Sequence, residues 1–217
     1  MKLSTLVLCF FAVAVYGQQP SGLVGGNIAK SGKYLFYLHG AIVQEMGINA
    51  VSEDFGKYEY LEIVETFSKK GFKVISEARP KGTDVVNYSE KVSAQVDTLL
   101  RNGVKPQNII VVGASQGAYI AIEVSHIVKN PKIKYAILAL CNDYNVNFYA
   151  KYKEELCGNF LSIYEDSDQK KSCDRLLNIP NCKIGYKEIK LTMGNGHGFI
   201  FKPYKEWINP LIQWAKK

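Results

Sequence analysis

The sequence predicts an α/β fold with a mostly parallel central sheet covered by helices on both faces. Three observations lead there. Short, continuous apolar runs of the kind that form doubly buried strands recur from Tyr34 to Ile189. Longer segments with apolar residues at helical spacing separate them. The composition is globular, with 217 residues, 47% apolar, 22% charged and 18 Gly without a three-residue period. That excludes a disordered or collagen-like chain and suits one domain rather than two.

The elements follow in order. Tyr34–Leu38 is an apolar run ending in His39-Gly40, a buried strand feeding a tight turn. Tyr58–Lys70 carries Tyr60, Leu61, Ile63, Val64 and Phe67 at helical spacing, and Gly71 stops it. Phe72–Ser76 is the next strand. Ser89–Gly103 is helical, with Val92, Val96, Leu99 and Leu100 on one side. Asn108–Val112 is an unbroken apolar strand, and Ser115–Val128 is the helix after it. Tyr135–Leu140, Phe160–Tyr164 and Ile184–Ile189 are three further strands. Lys205–Ala215 closes the chain as a helix that docks Trp207, Ile208, Leu211, Ile212 and Trp214 on the sheet. Ala41–Phe55 and Asn142–Glu155 read as irregular excursions. No repeat or low-complexity linker interrupts this alternation.

Residues 1–17 read as a secretory signal peptide. Met1-Lys2 is a positive start, Leu3–Val15 an apolar run, and Val15-Tyr16-Gly17 a cleavage site that leaves 18–217 as a single domain. The run is shorter than the roughly 20 residues a membrane span needs, so no stable span is expected. Secretion changes the meaning of the five cysteines. Cys9 leaves with the leader, and Cys141, Cys157, Cys173 and Cys182 suit two disulfides, with three possible connectivities. No C-x-x-C pair or His/Cys cluster points to a metal. Asn87-Tyr88-Ser89 is an N-glycosylation acceptor. The net charge of +7 comes from lysines scattered along the chain. No dense basic stripe interleaves with aromatics, so no nucleic-acid partner is expected.

Chemistry enters where the strand Asn108–Val112 runs into Gly113-Ala114-Ser115-Gln116-Gly117 and then a helix. This is G-x-S-x-G in the strand–turn–helix setting that gives the motif its mechanism. The turn is sharp enough to strain the serine backbone, and the flanking glycines let strand and helix approach. The hydroxyl then stands above the C-terminal edge of the sheet, beside the positive end of a helix.

With Tyr37-Leu38-His39-Gly40-Ala41 and Asn195-Gly196-His197-Gly198, this motif makes the chain resemble the α/β-hydrolase superfamily, in particular its small, lid-poor serine esterases. The resemblance runs from about Lys33 to Trp214. It implies that Ser115 is a nucleophile and, in the family's chain order of Ser, acid and His, that His197 is its base. His126 then lies inside the helix after the elbow as a structural residue, and His39 anchors the turn that follows it. The family's acid commonly lies three positions after a strand-ending Gly. Aligning Glu165 with that Gly makes Asp168 the acid, although Glu165 departs from the pattern. Asp166, Asp143 and Glu165 remain alternatives. The implied oxyanion hole uses the main-chain N–H groups of Gln116 and Ala41.

The resemblance further implies hydrolysis of carboxylic ester-type acyl bonds in a small or lipid-like substrate, with no cofactor. A thioesterase, a peptidase or a non-catalytic secreted binding module of the same fold are the rival readings. Only Cys141–Asn159 occupies the place of a cap, so no large cap domain is expected. In the family's strand order the strands at Tyr135, Phe160 and Ile184 are neighbours. Cys141 and Cys173 then share one edge of the sheet and Cys157 and Cys182 the other, which pairs Cys141 with Cys173 and Cys157 with Cys182.

Overall fold

The structure, a computed structural model, describes residues 28–150 and 153–217. The expected signal peptide, with Cys9, lies outside the described residues. In chain order the first half comprises β1 (Tyr34–Leu38), α1 (Ala41–Met46), β2 (Val51–Ser52), β3 (Gly56–Lys57), α2 (Tyr60–Lys69), β4 (Lys73–Ile75) and α3 (Val85–Arg101). The second half comprises β5 (Ile109–Ala114), α4 (Gln116–Val128), β6 (Lys134–Leu138), α5 (Asp143–Tyr149), β7 (Cys157–Glu165), α6 (Asp174–Leu177), β8 (Cys182–Leu191) and α7 (Lys205–Lys216).

Six strands make one sheet in the order β4-β1-β5-β6-β7-β8, and every neighbouring pair is parallel. The period-2 alternation of side chains divides it into two cores. Tyr34, Phe36 and Leu38 of β1 and Ile109 and Val111 of β5 face α3 and α4, meeting Val92, Val96, Leu99, Ile120 and Val124. Leu35, Tyr37, Ile110 and Val112 face the other way, against Ile63 and Phe67 of α2 and Trp207, Ile208 and Leu211 of α7. The strands are apolar throughout because both of their faces are covered.

The expected alternation is present, with boundaries moved where polar residues do structural work. Helix α3 starts at Val85, one turn before the predicted Ser89, because the Asp84 side chain caps it by accepting the Asn87 N–H at 2.9 Å. Strand β6 begins at Lys134, which is buried and donates from Nζ to the Ala215 carbonyl at 2.9 Å. Lys33 Nζ likewise reaches the Lys216 carbonyl at 2.9 Å, so two ammonium groups close the C-terminus of α7. Burial, and secondarily the Lys33 charge, lower the Lys134 pKa.

The two excursions are less irregular than predicted. The first holds α1 and the first strand of the small β2–β3 hairpin, which ends just beyond it, and the second holds α5. Helices of six and seven residues are too short for their spacing to stand out in sequence. The α5 start is set by Asn142, whose side chain accepts the Asn145 N–H at 2.9 Å. No large cap domain interrupts the sheet, and no helix among the described residues is long and apolar enough to cross a membrane.

Candidate active site

Strand β5 enters α4 through Ser115, whose φ of 52° and ψ of −114° lie outside the ordinary regions for a side-chain-bearing residue. Such a conformation costs on the order of 1–3 kcal/mol and persists only where its surroundings impose it. They do so here. A Cβ on Gly113 would lie 2.3 Å from the Gly117 carbonyl oxygen, and one on Gly117 would lie 1.9 Å from the Leu38 carbonyl oxygen. Strand, helix and β1 thus meet at distances only glycine permits. The Ser115 N–H donates to the Leu138 carbonyl at 2.9 Å and ties the turn to β6.

His197 arrives from the other end of the chain, on a 3-10 turn spanning Gly196–Ile200 between β8 and α7. Its Nδ1 lies 2.8 Å from Asp168 Oδ2, and its Nε2 lies 3.0 Å from Ser115 Oγ. An ionised carboxylate only accepts, so Nδ1 carries the proton and the Nε2 lone pair receives the Ser115 hydroxyl. Asp168 is 5% exposed and is oriented at its other oxygen, where Oδ1 accepts the Lys170 N–H at 3.1 Å.

The other acidic candidates are engaged elsewhere. Asp166 pairs with Lys190 at 2.9 Å, and Asp143 with Arg175 at 2.8 Å. Glu165 is fully buried and receives N–H groups from Ser167, Asn195 and Gly196 rather than the imidazole. His126 stands ten residues beyond Gln116 on α4, about 15 Å along the helix, with Glu155 3.8 Å away.

The two expected oxyanion donors begin two helices. Ala41 is the first residue of α1 and Gln116 the first of α4, positions whose N–H has no acceptor within the helix. A Cβ on Gly40 would lie 3.6 Å from Ser115 Cβ, so the α1 start comes close to the serine. His39 holds this turn in place. The Arg79 N–H donates to its Nε2 at 2.9 Å, and its Nδ1–H donates to the Gly40 carbonyl at 2.8 Å. Burial, then the Arg79 charge, hold the His39 pKa at about 3, so it stays a neutral brace.

Cys141 and Cys173 lie at disulfide distance, with Cα atoms 5.2 Å apart, at the sheet edge that carries Ser115. The Lys171 N–H donates to the Cys141 carbonyl at 2.6 Å, drawing the Asp168 loop onto the end of β6. Cys157 and Cys182 lie at disulfide distance at the opposite edge, facing each other on β7 and β8 with Cα atoms 4.6 Å apart.

No protein-family model matches the sequence, and no curated protein sequence matches it. Solved structures do. Arabidopsis thaliana SOBER1 aligns with a TM-score of 0.58 at 14% identity, covering 86% of this chain and 98% of that one. A monoacylglycerol lipase of Paleococcus ferrophilus aligns with a TM-score of 0.56 at 13% identity, covering 85% of this chain and 95% of that one. A Pyrococcus furiosus esterase aligns with a TM-score of 0.57 at 16% identity, covering 86% and 83%. This chain has the α/β-hydrolase fold.

Open α/β sheets as a class bind ligands outside the C-terminal ends of their strands, and no large cap domain covers that edge here. Among the described residues, the segment between β6 and β7 holds α5 and a short 3-10 turn. An open depression of about 470 Å³ lies beside His197, lined by Phe55 of the β2–β3 hairpin, by Ser167 and by Asn195. Among the described residues no cluster of three or more His, Cys, Asp or Glu is arranged to hold a metal ion.

Three residues of this site were not assigned these tasks by sequence reasoning. Phe55 packs on the histidine loop so closely that a Cβ on Gly198 would lie 2.8 Å from its ring. Glu165 bridges the acid turn and the histidine loop. Arg79 is buried behind the serine. Only Arg79 carries a sequence signal, as one of three arginines among 27 basic residues. A planar fork stands there in a chain that otherwise favours lysine.

Proposed function

We propose that this protein is a secreted serine hydrolase that cleaves carboxylic ester bonds through an acyl-enzyme. The observation that carries the reading is the pair of contacts at His197, 3.0 Å to Ser115 Oγ and 2.8 Å to Asp168. His197 Nε2 takes the hydroxyl proton as Ser115 Oγ bonds to the ester carbonyl carbon. Asp168 holds the imidazole tautomer and stabilises its positive charge. The carbonyl π-electrons move to oxygen, and the main-chain N–H groups of Gln116 and Ala41 receive that oxyanion. When the oxyanion collapses, the bond to the leaving oxygen breaks and His197 donates its proton there. Water then attacks the acyl-enzyme by the same route, releasing the acid and restoring Ser115.

The open sheet edge supports small or accessible ester substrates, including lipid-like ones. Secretion is supported by the leader in the sequence and by two cysteine pairs at disulfide distance, which suit an oxidising compartment. Residues 18–217 would then form the mature single-domain protein. Asn87 is exposed in the first turn of α3 and accessible to a glycan.

The test is labelling of the mature protein by a fluorophosphonate probe, with turnover of a short-chain p-nitrophenyl ester. The expected result is one modified residue, Ser115, and loss of both signals in Ser115→Ala and His197→Ala, while His126→Ala keeps them. Turnover that survives intact in Ser115→Ala overturns the reading.

A further inference from the structure

We propose that Arg79 is the positioning residue of the oxyanion hole, locking the starts of α1 and α4 to each other. This deepens the esterase reading and rests on it. Arg79 is 2% exposed and forms no ion pair among the described residues. All its hydrogen-bond acceptors are neutral. Nε donates to Gln44 Oε1 at 3.0 Å, and one terminal nitrogen donates both to the His39 carbonyl at 2.6 Å and to Gln116 Oε1 at 3.0 Å. The other terminal nitrogen is buried and has no hydrogen-bond partner among the described residues. The guanidinium carbon lies 5.5 Å from the Tyr88 ring centre.

Burying a guanidinium without a carboxylate is costly, and a well-packed apolar side chain would serve stability at least as well. What an apolar chain lacks is the fork. Its acceptors come from two separate pieces of chain, and each piece carries one proposed donor. The His39 carbonyl lies two residues before Ala41, and Gln44 is on the helix Ala41 begins. Gln116 is itself the other donor residue. The Arg79 N–H also holds the His39 ring at 2.9 Å, so His39 is gripped at ring and carbonyl by one residue. A single rigid group therefore sets the spacing between two main-chain N–H groups that must converge on one oxygen.

That convergence matters only when negative charge develops on the oxygen, because donors act at about 2.7–3.1 Å from the oxyanion rather than the ground-state carbonyl. Arg79 thus acts on the transition state and leaves substrate binding largely alone. Its charge forms no ion pair among the described residues and adds a field that favours an oxyanion between the two helix starts. Lysine keeps the charge but cannot span three acceptors in one plane.

The experiment compares unmodified protein, Arg79→Met and Arg79→Lys in p-nitrophenyl butyrate hydrolysis. A trifluoromethyl ketone, whose serine adduct carries the oxyanion, serves as transition-state probe. Thermal melts confirm folding. Arg79→Met is expected to lower kcat about 10²-fold with KM nearly unchanged, and to weaken trifluoromethyl ketone inhibition by a matching factor. Arg79→Lys should stay at least about tenfold below the unmodified protein. A folded variant with kcat within about threefold of the unmodified protein overturns the inference, as does a loss confined to KM. Failure of both variants to fold assigns Arg79 to stability alone and overturns it too. If the unmodified protein shows no ester turnover, the esterase reading fails first and takes this inference with it.

Discussion

Glu165 Oε2 accepts the Asn195 N–H at 2.8 Å, so the strand end leading to Asp168 and the loop carrying His197 meet on one carboxylate. The same oxygen takes the Gly196 N–H at 3.0 Å and the Ser167 hydroxyl at 2.8 Å. Burial alone would raise this carboxyl's pKa, but the hydrogen bonds to Ser167, Asn195 and Gly196 outweigh it and hold the group below its usual range. A carboxylate that only accepts, opposite a ring of donors, fixes the separation between the two loops.

Glu165→Gln replaces one acceptor oxygen by an NH2 that faces N–H donors. The expected cost is about 2–3 kcal/mol, the scale of a lost hydrogen bond to a charged group. Ester turnover should fall with it, because the imidazole loop loses its tether. Denaturant melts and kcat measured on the same samples check this, and unchanged values in both would show that the loops are set by other contacts.

Stability should decline on acidification from neutral pH. The folded-state pKa of His39 is depressed to about 3 from an ordinary 6.5. Between those values the unfolded chain binds a proton that the folded chain refuses. The contribution of His39 is therefore complete above about pH 6.5 and falls by up to about 1.4 kcal/mol per pH unit as pH drops toward 3. Arg79 and the Tyr60 ring, 5.5 Å away, are its neighbours in the buried setting. The depressed carboxyl of Glu165 acts in the same direction at lower pH. Urea melts at pH 7, 6, 5 and 4 should show the slope, and His39→Gln should flatten it between pH 6.5 and 4.

Asp168→Asn is expected to lose about 10⁴-fold in kcat, since the amide can hold the imidazole in the wrong tautomer. Asp166→Asn and Asp143→Asn should stay near unmodified activity, because both carboxylates are half or more exposed and paired with surface cations. The three variants are to be assayed side by side. A crippled Asp143→Asn would move the acid to the end of β6.

Gly117→Ala should be among the most damaging small substitutions, since its Cβ would sit 1.9 Å from a backbone oxygen of β1. A loss above about 3 kcal/mol, or failure to fold, is expected. Gly71→Ala is the control. Its φ of 89° meets open space, so only the backbone strain of about 1–2 kcal/mol applies. Equal midpoints for the two variants in denaturant would contradict the close approach.

Peptide mapping without reductant should return Cys141 joined to Cys173 and Cys157 joined to Cys182. Cys141→Ser with Cys173→Ser should lower activity more than the Cys157/Cys182 pair of replacements, because only the first pair ties the segment that presents Asp168 to the end of β6. A Cys173–Cys182 peptide would refute the arrangement.

The alternation of elements was legible because its signal is local. A strand such as β5, buried on both faces, must be apolar at every position, and a helix such as α7 must repeat its apolar face every three to four residues. Ser115 stood out for the same reason, since the elbow and the elements that frame it are contiguous. Short helices α1 and α5 escaped because six or seven residues contain too little period to read. What only the tertiary structure decided concerns polar groups that must find partners far along the chain. Among the four acidic candidates Asp143, Glu165, Asp166 and Asp168, side-chain chemistry alone did not say which one would meet His197. The packing of β7 against β8 brings Asp168 to it and leaves Glu165 holding the loop. Lys134 inside β6 and Arg79 behind the serine are charged residues that the fold buries. Both are buried because their donors reach main-chain or side-chain oxygens supplied from 35 to 81 residues away. Burial of apolar groups follows from spacing within a segment, whereas burial of a charge depends on acceptors that folding itself assembles.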